Sequence, residues 1–387
     1  MASAGTNNNL HAGHAAGTGA EGADPAAEFR LVPLHRLAGT SVGFEQSGAA
    51  VSINVEASML PNQPGAAAAW PVAFGTMALA GRLSVMEDTV SLHPSFCVWA
   101  HGEPMHFLAV FDGHGGPNVA ALCREQMHAI LAEELAIAAE QYLAHRDEDG
   151  AEERAWRAAL SRSFARVDAL APAACACGRV GWCACPLSSR PRSPIVGSTA
   201  VVALLVRDRV IVANCGDSRA VLCRGARAVP LSMDHKPDRP DERARIEAVG
   251  GQVVFLDGPR VGGILAMSRA IGHEILKPEV ICEPEIMITI RSDDDDFLIL
   301  ASDGLWDVIL NKMACDVAME CKKYGSPTSF RVVGSGQADH NIDYGTLVRQ
   351  QLEPRCYEAA TLLGRLALNR QSSDNISVVV IDLKVRV

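Results

Sequence analysis

Three apolar segments of this chain have an aspartate at one end. Each segment is short and strongly apolar, which is typical of a buried strand. The aspartates with their segments are Asp112 after 107–111, Asp303 after 297–301 and Asp374 before 376–383. A further acidic pair, Glu87 and Asp88, follows the first predicted strand, and Asp217 lies in a predicted hairpin turn. Carboxylates held at strand ends beside glycines suit hard divalent cations, so these residues predict a site for two Mg²⁺ or Mn²⁺ ions.

Two such ions about 3.5–4 Å apart activate a water molecule and clamp a phosphoryl group. The glycine-rich segment Asp112–Gly116 adds His114, whose imidazole can donate a proton near neutral pH. Taken alone, this segment is equally well explained as a tight turn with a surface histidine. Each aspartate alone is better explained as a turn or cap residue. Their repeated occurrence at strand ends favours the metal site.

Composition excludes several classes of function. The chain has 387 residues, 48% apolar content and a net charge of −10, which argues against nucleic acid or an anionic membrane as the main partner. No segment is apolar enough to span a membrane, and the first residues lack the features of a signal peptide. We therefore expect an intracellular protein, in the nucleus and/or cytoplasm, with its twelve cysteines mostly reduced.

The chain divides into a tail and one large domain. Residues 1–71 are rich in small and polar residues and are predicted to be disordered, whereas 72–387 alternate strand and helix patterns. Predicted strands are 74–80, 89–92, 96–100, 107–111, 197–206, 210–213, 220–223, 297–301 and 376–383. Predicted helices are a long one from Pro117, then 152–170, 241–249, 312–322 and about 344–369. A glycine-rich region, about 235–284, is expected to form a flap over the site.

A cysteine-rich insertion spans 171–194. Its two Cys-x-Cys pairs are Cys175 with Cys177 and Cys183 with Cys185. Structural zinc sites usually have Cys-x2-Cys spacing, so a loop of reduced thiols is favoured over a zinc site.

Eight motifs occur in the order found in the type 2C metal-dependent protein phosphatases, and the resemblance covers about residues 72–387. The motifs are Met86–Asp88, Val110–Gly116, Gly197–Ala200, Asn214–Arg219, Asp234–Pro237, Arg260–Val261 with Leu265–Ala270, Ala301–Asp307 and Asp374–Ser377. Asp234–Gly251 and Leu276–Pro278 are most similar to the plant branch that serves as abscisic-acid co-receptors.

The resemblance implies an α+β fold, a four-layer αββα sandwich of two antiparallel sheets, and hydrolysis of phosphoserine and phosphothreonine in proteins. It also implies residue roles. Asp112 would bridge two ions, with the Gly113 carbonyl beside it. Asp303 and Asp374 would hold the first ion and Glu87 the second, with support from Asp88. Asp217, with Asp303 or Asp307, would hold a weaker third ion. His114 would protonate the leaving oxygen.

Three positions depart from the family pattern. Leu83 replaces the arginine that grips the substrate phosphate, and Arg82 could compensate only if the strand there is bulged or frayed. His273 replaces an aspartate for which the sequence assigns no firm role. Leu256 replaces the tryptophan that inserts toward a hormone-bound receptor, so we expect weakened inhibition by such a receptor.

The leading hypothesis is a monomeric phosphatase acting on phosphorylated proteins, with kinases as further candidate partners. Leu83 and His273 motivate an alternative, a low-activity regulator that binds phosphoproteins or kinases on the same scaffold. A two-metal nuclease or phosphodiesterase shares the acidic residues, but the acidic net charge argues against it.

Overall fold

The computed structural model describes residues 72–181, 183–185, 195–324 and 353–384. The predicted disorder of 1–71 and the first part of the predicted helix at 344–369 lie outside the described residues. The strands are β1 Ala73–Leu79, β2 Thr89–Trp99, β3 Glu103–Phe111, β4 Gly113–His114, β5 Gly197–Ser198, β6 Ala200–Val206, β7 Arg209–Cys215, β8 Arg219–Arg224, β9 Arg227–Pro230, β10 Val253–Phe255, β11 Pro259–Val261, β12 Ile271–Gly272, β13 Glu285–Ile290, β14 Asp295–Ala301 and β15 Ile376–Asp382. The helices are α1 Asn118–Ala144, α2 Ala151–Leu170, α3 Pro240–Ala248, α4 Asp303–Trp306, α5 Asn311–Tyr324 and α6 Pro354–Asn369.

Two five-stranded antiparallel sheets form the centre of the fold. Their strand orders are β1-β15-β14-β8-β9 and β13-β7-β6-β3-β2. Apolar side chains from both sheets, such as Leu108, Val212 and Leu300, form one buried cluster between them. Strands such as β6 are buried along their whole length, which explains their continuous apolar sequence.

Helices cover the outer face of each sheet. Buried residues of α1 and α2 pack against β3, β6 and β7 in one apolar cluster, and residues of α5 and α6 pack against β8, β14 and β15 in another. The side chain of Glu353 caps α6 by accepting hydrogen bonds from the backbone N–H groups of Arg355 and Cys356. The predicted α+β fold of two antiparallel sheets between helical layers is confirmed.

The predicted flap contains a small hairpin, β10–β11, and helix α3. Its apolar cluster includes Ile246, Val261 and Leu265. The buried carboxylate of Glu242 accepts hydrogen bonds from Arg269, at 2.6 Å, and from Arg245, at 2.9 Å. These charged partners lower the pKa of Glu242 despite its burial, so the carboxylate stays ionised and ties α3 to the loop before β12.

Several details differ from the sequence prediction. Residues 89–99 form one strand rather than two, with a register irregularity between His93 and Cys97. The edge strands β9 and β13, which are only partly buried, were not predicted. Cys223 and Cys315 form a disulfide between β8 and α5, so this pair departs from the expectation of reduced thiols. None of the described helices combines the length and apolar character needed to cross a bilayer.

Candidate metal centre

The acidic residues come from the ends of strands in both sheets. Asp112 follows β3 directly, and Asp217 occupies the turn between β7 and β8. Asp303 begins α4, the single helical turn after β14. Glu87 and Asp374 lie just before β2 and β15. Since each strand is paired in a rigid sheet, the positions of these side chains are fixed by the fold rather than by a flexible loop.

Three of these carboxylates converge. Asp112, Asp217 and Asp303 each offer an oxygen atom, and these oxygens lie within 4.8 Å of one another. Asp112 is 8% exposed and Asp217 is 1% exposed. Glu87 and Asp374 are not part of this tight group. The charge of Asp374 nevertheless raises the pKa values of Asp112 and Asp303, so it lies close enough to act on the same site.

The electrostatics of the group favour a cation. Burial raises the pKa of Asp112 well above its ordinary value, and the charges of Asp88 and Asp303 raise it further. Burial and the charge of Asp217 likewise raise the pKa of Asp303 well above its ordinary value. A divalent ion among these oxygens would compensate both the lost hydration and the repulsion.

The second observation that fits a metal concerns unsatisfied oxygens. The Oδ1 atoms of Asp88 and Asp217 are buried and have no hydrogen-bond partner among the described residues. An all-oxygen donor set of this kind suits Mg²⁺ or Mn²⁺ rather than zinc. The residues present therefore fit the implied hard cations.

Asn375 organises the loop that carries Glu87. Its Oδ1 accepts a hydrogen bond from the Glu87 backbone N–H at 2.7 Å. Its Nδ2 donates to the carbonyl oxygens of Ala80, at 2.9 Å, and Val85, at 3.0 Å. Asn375 thus joins β15 to the turn between β1 and β2. Sequence reasoning gave it no role, although it is adjacent to Asp374.

Ser302 and Thr199 support the two buried aspartates. The Ser302 hydroxyl donates to Asp88 Oδ2 at 2.9 Å, while burial raises the pKa of Asp88 to about 7. The Asp112 backbone N–H donates to Thr199 Oγ1 at 3.2 Å, and the Thr199 N–H donates to the Asp112 carbonyl at 2.8 Å. These bonds fix the backbone that presents Asp112.

Gly113 allows the acidic loops to approach closely. A Cβ atom at this position would lie 2.4 Å from the carbonyl oxygen of Glu87. Only a residue without a side chain fits there, so the chain can place Glu87 and Asp112 on the same side of the centre.

Lys236 is a cation that sequence reasoning did not place at this site. Its Nζ donates to Asp217 Oδ2 at 2.6 Å, and the charges of Asp217, Asp303 and Asp307 raise its pKa against the opposing effect of burial. Asp307 is exposed and follows α4. In this structure Lys236 therefore neutralises part of the charge at the predicted third-ion position.

His114 and His273 lie against each other. Their Nε2 atoms are hydrogen-bonded, and their rings stack with centroids 4.7 Å apart. Burial lowers the pKa of His114 to about 4 and that of His273 to about 3, the latter also because of His114. The replacement of aspartate by His273 thus affects the predicted proton donor directly, a consequence that sequence alone did not reveal.

Arg82 and Leu83 lie in a turn after β1, where the Leu83 N–H donates to the Ala80 carbonyl at 3.1 Å. Both side chains are exposed, Leu83 by 46%. Strand β1 ends at Leu79, so the alternation of side chains along a strand does not apply at these two residues. Arg82 as a phosphate ligand stays a prediction.

Comparisons with known proteins agree with this architecture. The protein phosphatase 2C family profile matches residues 72–376. The chain is 52% identical to "Probable protein phosphatase 2C 37" of Oryza sativa subsp. japonica over 83% of this chain and 78% of the relative. It is 51% identical to "Probable protein phosphatase 2C 75" of Arabidopsis thaliana over 80% of this chain and 73% of the relative.

A crystal structure of serine-threonine phosphatase 2C from Toxoplasma gondii has the same fold, with a TM-score of 0.58 at 21% identity over 82% of this chain and 96% of that one. The likeness to this structure shows a shared fold, whereas the family match and the identity to the plant relatives show the family. The chain belongs to the protein phosphatase 2C family and is a protein-serine/threonine phosphatase.

Proposed function

We propose that this phosphatase hydrolyses phosphoserine and phosphothreonine in proteins with two Mg²⁺ or Mn²⁺ ions. Asp112 would bridge the ions, with the Gly113 carbonyl beside it. Asp303 and Asp374 would complete the site of the first ion, and Glu87 that of the second. When bound, the ions supply an activated water and neutralise the phosphoryl charge. The convergence of the Asp112, Asp217 and Asp303 oxygens within 4.8 Å is the observation that carries the proposal.

The residues around the ions have separate tasks. Asp88, held by Ser302, and Asn375, which binds the Glu87 backbone, orient the ligands. His114, two residues after Asp112, would donate a proton to the seryl or threonyl oxygen as it leaves, once its contact with His273 is released. Asp217, with Asp303 or Asp307, would hold a weaker third ion in competition with Lys236.

The test is metal-dependent turnover of a phosphothreonine peptide by the full-length protein. Mn²⁺ or Mg²⁺ should support hydrolysis, and Asp112→Ala should abolish it. Asp147→Ala, an exposed aspartate between α1 and α2, is the matched control and should retain wild-type turnover. Equal rates for wild type and Asp112→Ala would refute the proposal.

The histidine contact favours a second candidate, a low-activity regulator that binds phosphoproteins or kinases. The atom of His114 that reaches His273 is Nε2, so His273 competes with a substrate oxygen for it. Under this candidate, wild type binds a phosphothreonine peptide with almost no turnover, and His273→Asp raises turnover by about tenfold or more, because a carboxylate favours the protonated imidazole. A wild type that is already fully active, and is not improved by this substitution, would reject it.

We also propose a role in plant stress or hormone signalling, for which the rice and Arabidopsis relatives support the plant setting. We propose the nucleus and/or cytoplasm as its location. Leu256, 55% exposed beside the β10–β11 hairpin, stands where abscisic-acid co-receptors have tryptophan. We expect weak inhibition by a hormone-loaded receptor, and stronger inhibition of Leu256→Trp. Full inhibition of wild type in a phosphatase assay would refute this expectation.

A further inference from the structure

A second group of metal-type ligands lies outside the acidic centre. The sulfur atoms of Cys175, Cys177, Cys183 and Cys185 all lie within 4.8 Å of one another. The Sγ atoms of Cys175 and Cys185 are 3.1 Å apart, and those of Cys177 and Cys183 are 3.3 Å apart. Four sulfurs around a zinc ion at about 2.3 Å would be about 3.8 Å apart, whereas disulfide sulfurs are about 2.05 Å apart. The observed spacing is that of a ligand cage slightly contracted around its centre.

The backbone explains why Cys-x-Cys spacing is sufficient here. Ala174 and Val180 form an antiparallel bridge, and the Cys175 N–H donates to the Arg179 carbonyl at 2.8 Å. The Gly178 N–H donates to the Cys175 carbonyl at 2.8 Å and closes a tight turn over Ala176 and Cys177, which brings the two cysteines of the first pair together. Gly178, with a φ of +83°, reverses the chain after the first pair.

The loop also lowers the free energy needed to bring deprotonated cysteine side chains close together. The Cys185 N–H points at the Cys183 sulfur at 3.4 Å. Hydrogen bonds from backbone N–H groups to sulfur stabilise the deprotonated form, which is the form that binds metal.

We propose that Cys175, Cys177, Cys183 and Cys185 bind one structural zinc ion. All four donors are soft sulfur atoms, which select zinc over the Mg²⁺ or Mn²⁺ of the acidic centre. Four thiolates complete a tetrahedral coordination sphere and leave no position for a substrate or water, so this ion is structural rather than catalytic.

The position of the loop indicates what the ion stabilises. Asn118, the first residue of α1, donates to the Ala174 carbonyl at 3.1 Å. Gly178 lies against Ala121 and Glu125 on the next turn of that helix. After the loop the chain enters β5, where Gly197 pairs with His114 of β4. A zinc ion would therefore hold the loop against the start of α1.

Zinc content of the full-length protein, purified under reducing conditions, tests the proposal. We expect about one zinc per chain in wild type and a loss of about tenfold or more in the Cys177→Ser/Cys183→Ser double variant. Cys97→Ser/Cys282→Ser removes two half-buried cysteines outside the cluster and is the matched control. It should keep its zinc. Elemental analysis after dialysis against Mg²⁺ gives the zinc stoichiometry without any activity measurement.

Replacement of zinc by Co²⁺ provides a second readout that does not depend on folding of the double variant. The wild-type protein should show the intense visible absorption and sulfur-to-cobalt charge transfer of a tetrahedral tetrathiolate site. Wild-type protein without zinc, equal zinc in both double variants, or iron or copper in place of zinc would overturn the assignment. So would an intact mass lower by the four hydrogens lost on forming two disulfides within the loop.

Discussion

The acidic cluster and the cysteine cluster are built in opposite ways. Asp112, Asp217 and Asp303 come from three different strand ends, and the two central sheets bring them together. The four cysteines fall within one loop, 175–185, and meet through local turns. The acidic centre is therefore positioned by the fold, whereas the cysteine loop depends on its own ligands. We expect changes at the first to affect chemistry and changes at the second to affect stability.

After the loss of turnover in Asp112→Ala, the largest expected effect is at Asp303. Asp303→Asn should lower kcat/KM by more than the roughly 10–100-fold that loss of an outer-shell partner costs, because it removes a proposed metal ligand. The same change should raise the metal-free stability by about 1 kcal/mol, since it removes a buried charge from a repelling group. Peptide hydrolysis and urea unfolding in a chelator measure the two effects.

Asp303→Asn should lower kcat/KM but raise the metal-free stability, and these opposite effects distinguish a functional cluster from a structural one. Asp147→Asn, at an exposed position, should change neither quantity. If Asp303→Asn lowered the metal-free stability instead, the carboxylate would be contributing to the fold, and the contrast between the two clusters would fail.

The cysteine loop should respond in stability first. Gly178→Ala adds a methyl group that would lie 2.5 Å from the Ala121 carbonyl oxygen. We expect the left-handed backbone to cost about 1–2 kcal/mol and the overpacking against α1 a further 1–3 kcal/mol, with loss of bound zinc.

Gly181→Ala is the matched control for this substitution. It has a similar φ of +81°, but a methyl group there would meet no atom within 4 Å in the described part of the chain. It should therefore show only the backbone cost. Equal urea midpoints for the two variants would mean that the loop does not pack on α1 as described.

The sequence predicted the strand-end aspartates and the αββα layers because continuous apolar runs and family motifs mark them. It did not predict that Asn375 and Ser302 hold the acidic loops, because those hydrogen bonds join residues distant in sequence. The cysteine pairs were set aside on spacing alone, although local backbone brings them together. His273 departs from the family pattern in sequence, but its contact with His114 depends on the pairing of β5 with both β4 and β12.

A smaller effect concerns substrate binding rather than metal binding. Leu83→Arg places a guanidinium in the exposed turn after β1, near the acidic loop of Glu87. A charge-assisted hydrogen bond to the substrate phosphate would raise kcat/KM by about tenfold, equivalent to about 1.4 kcal/mol. Leu310→Arg, also exposed, is the control and should leave kcat/KM unchanged. No gain in a phosphopeptide assay would show that this turn does not reach the phosphate.

The smallest expected effect concerns a buried histidine of the central sheet, His106. Burial lowers the pKa of His106, on β3, to about 4 from 6.5. Between these values the unfolded chain binds a proton that the folded chain does not, so stability falls by about 1 kcal/mol per pH unit as pH drops. The raised pKa values of Asp112 and Asp303 act in the opposite direction, because there the folded, metal-free chain binds the extra protons.

His106→Asn keeps an acceptor for the Ser95 N–H and should flatten the fall in stability below about pH 6.5. Urea unfolding from about pH 4 to 7.5 measures the slope, with exposed His145→Asn as control. An unchanged slope in His106→Asn would assign the fall in stability at acid pH to other buried histidines whose pKa values burial lowers, such as His93 and His235.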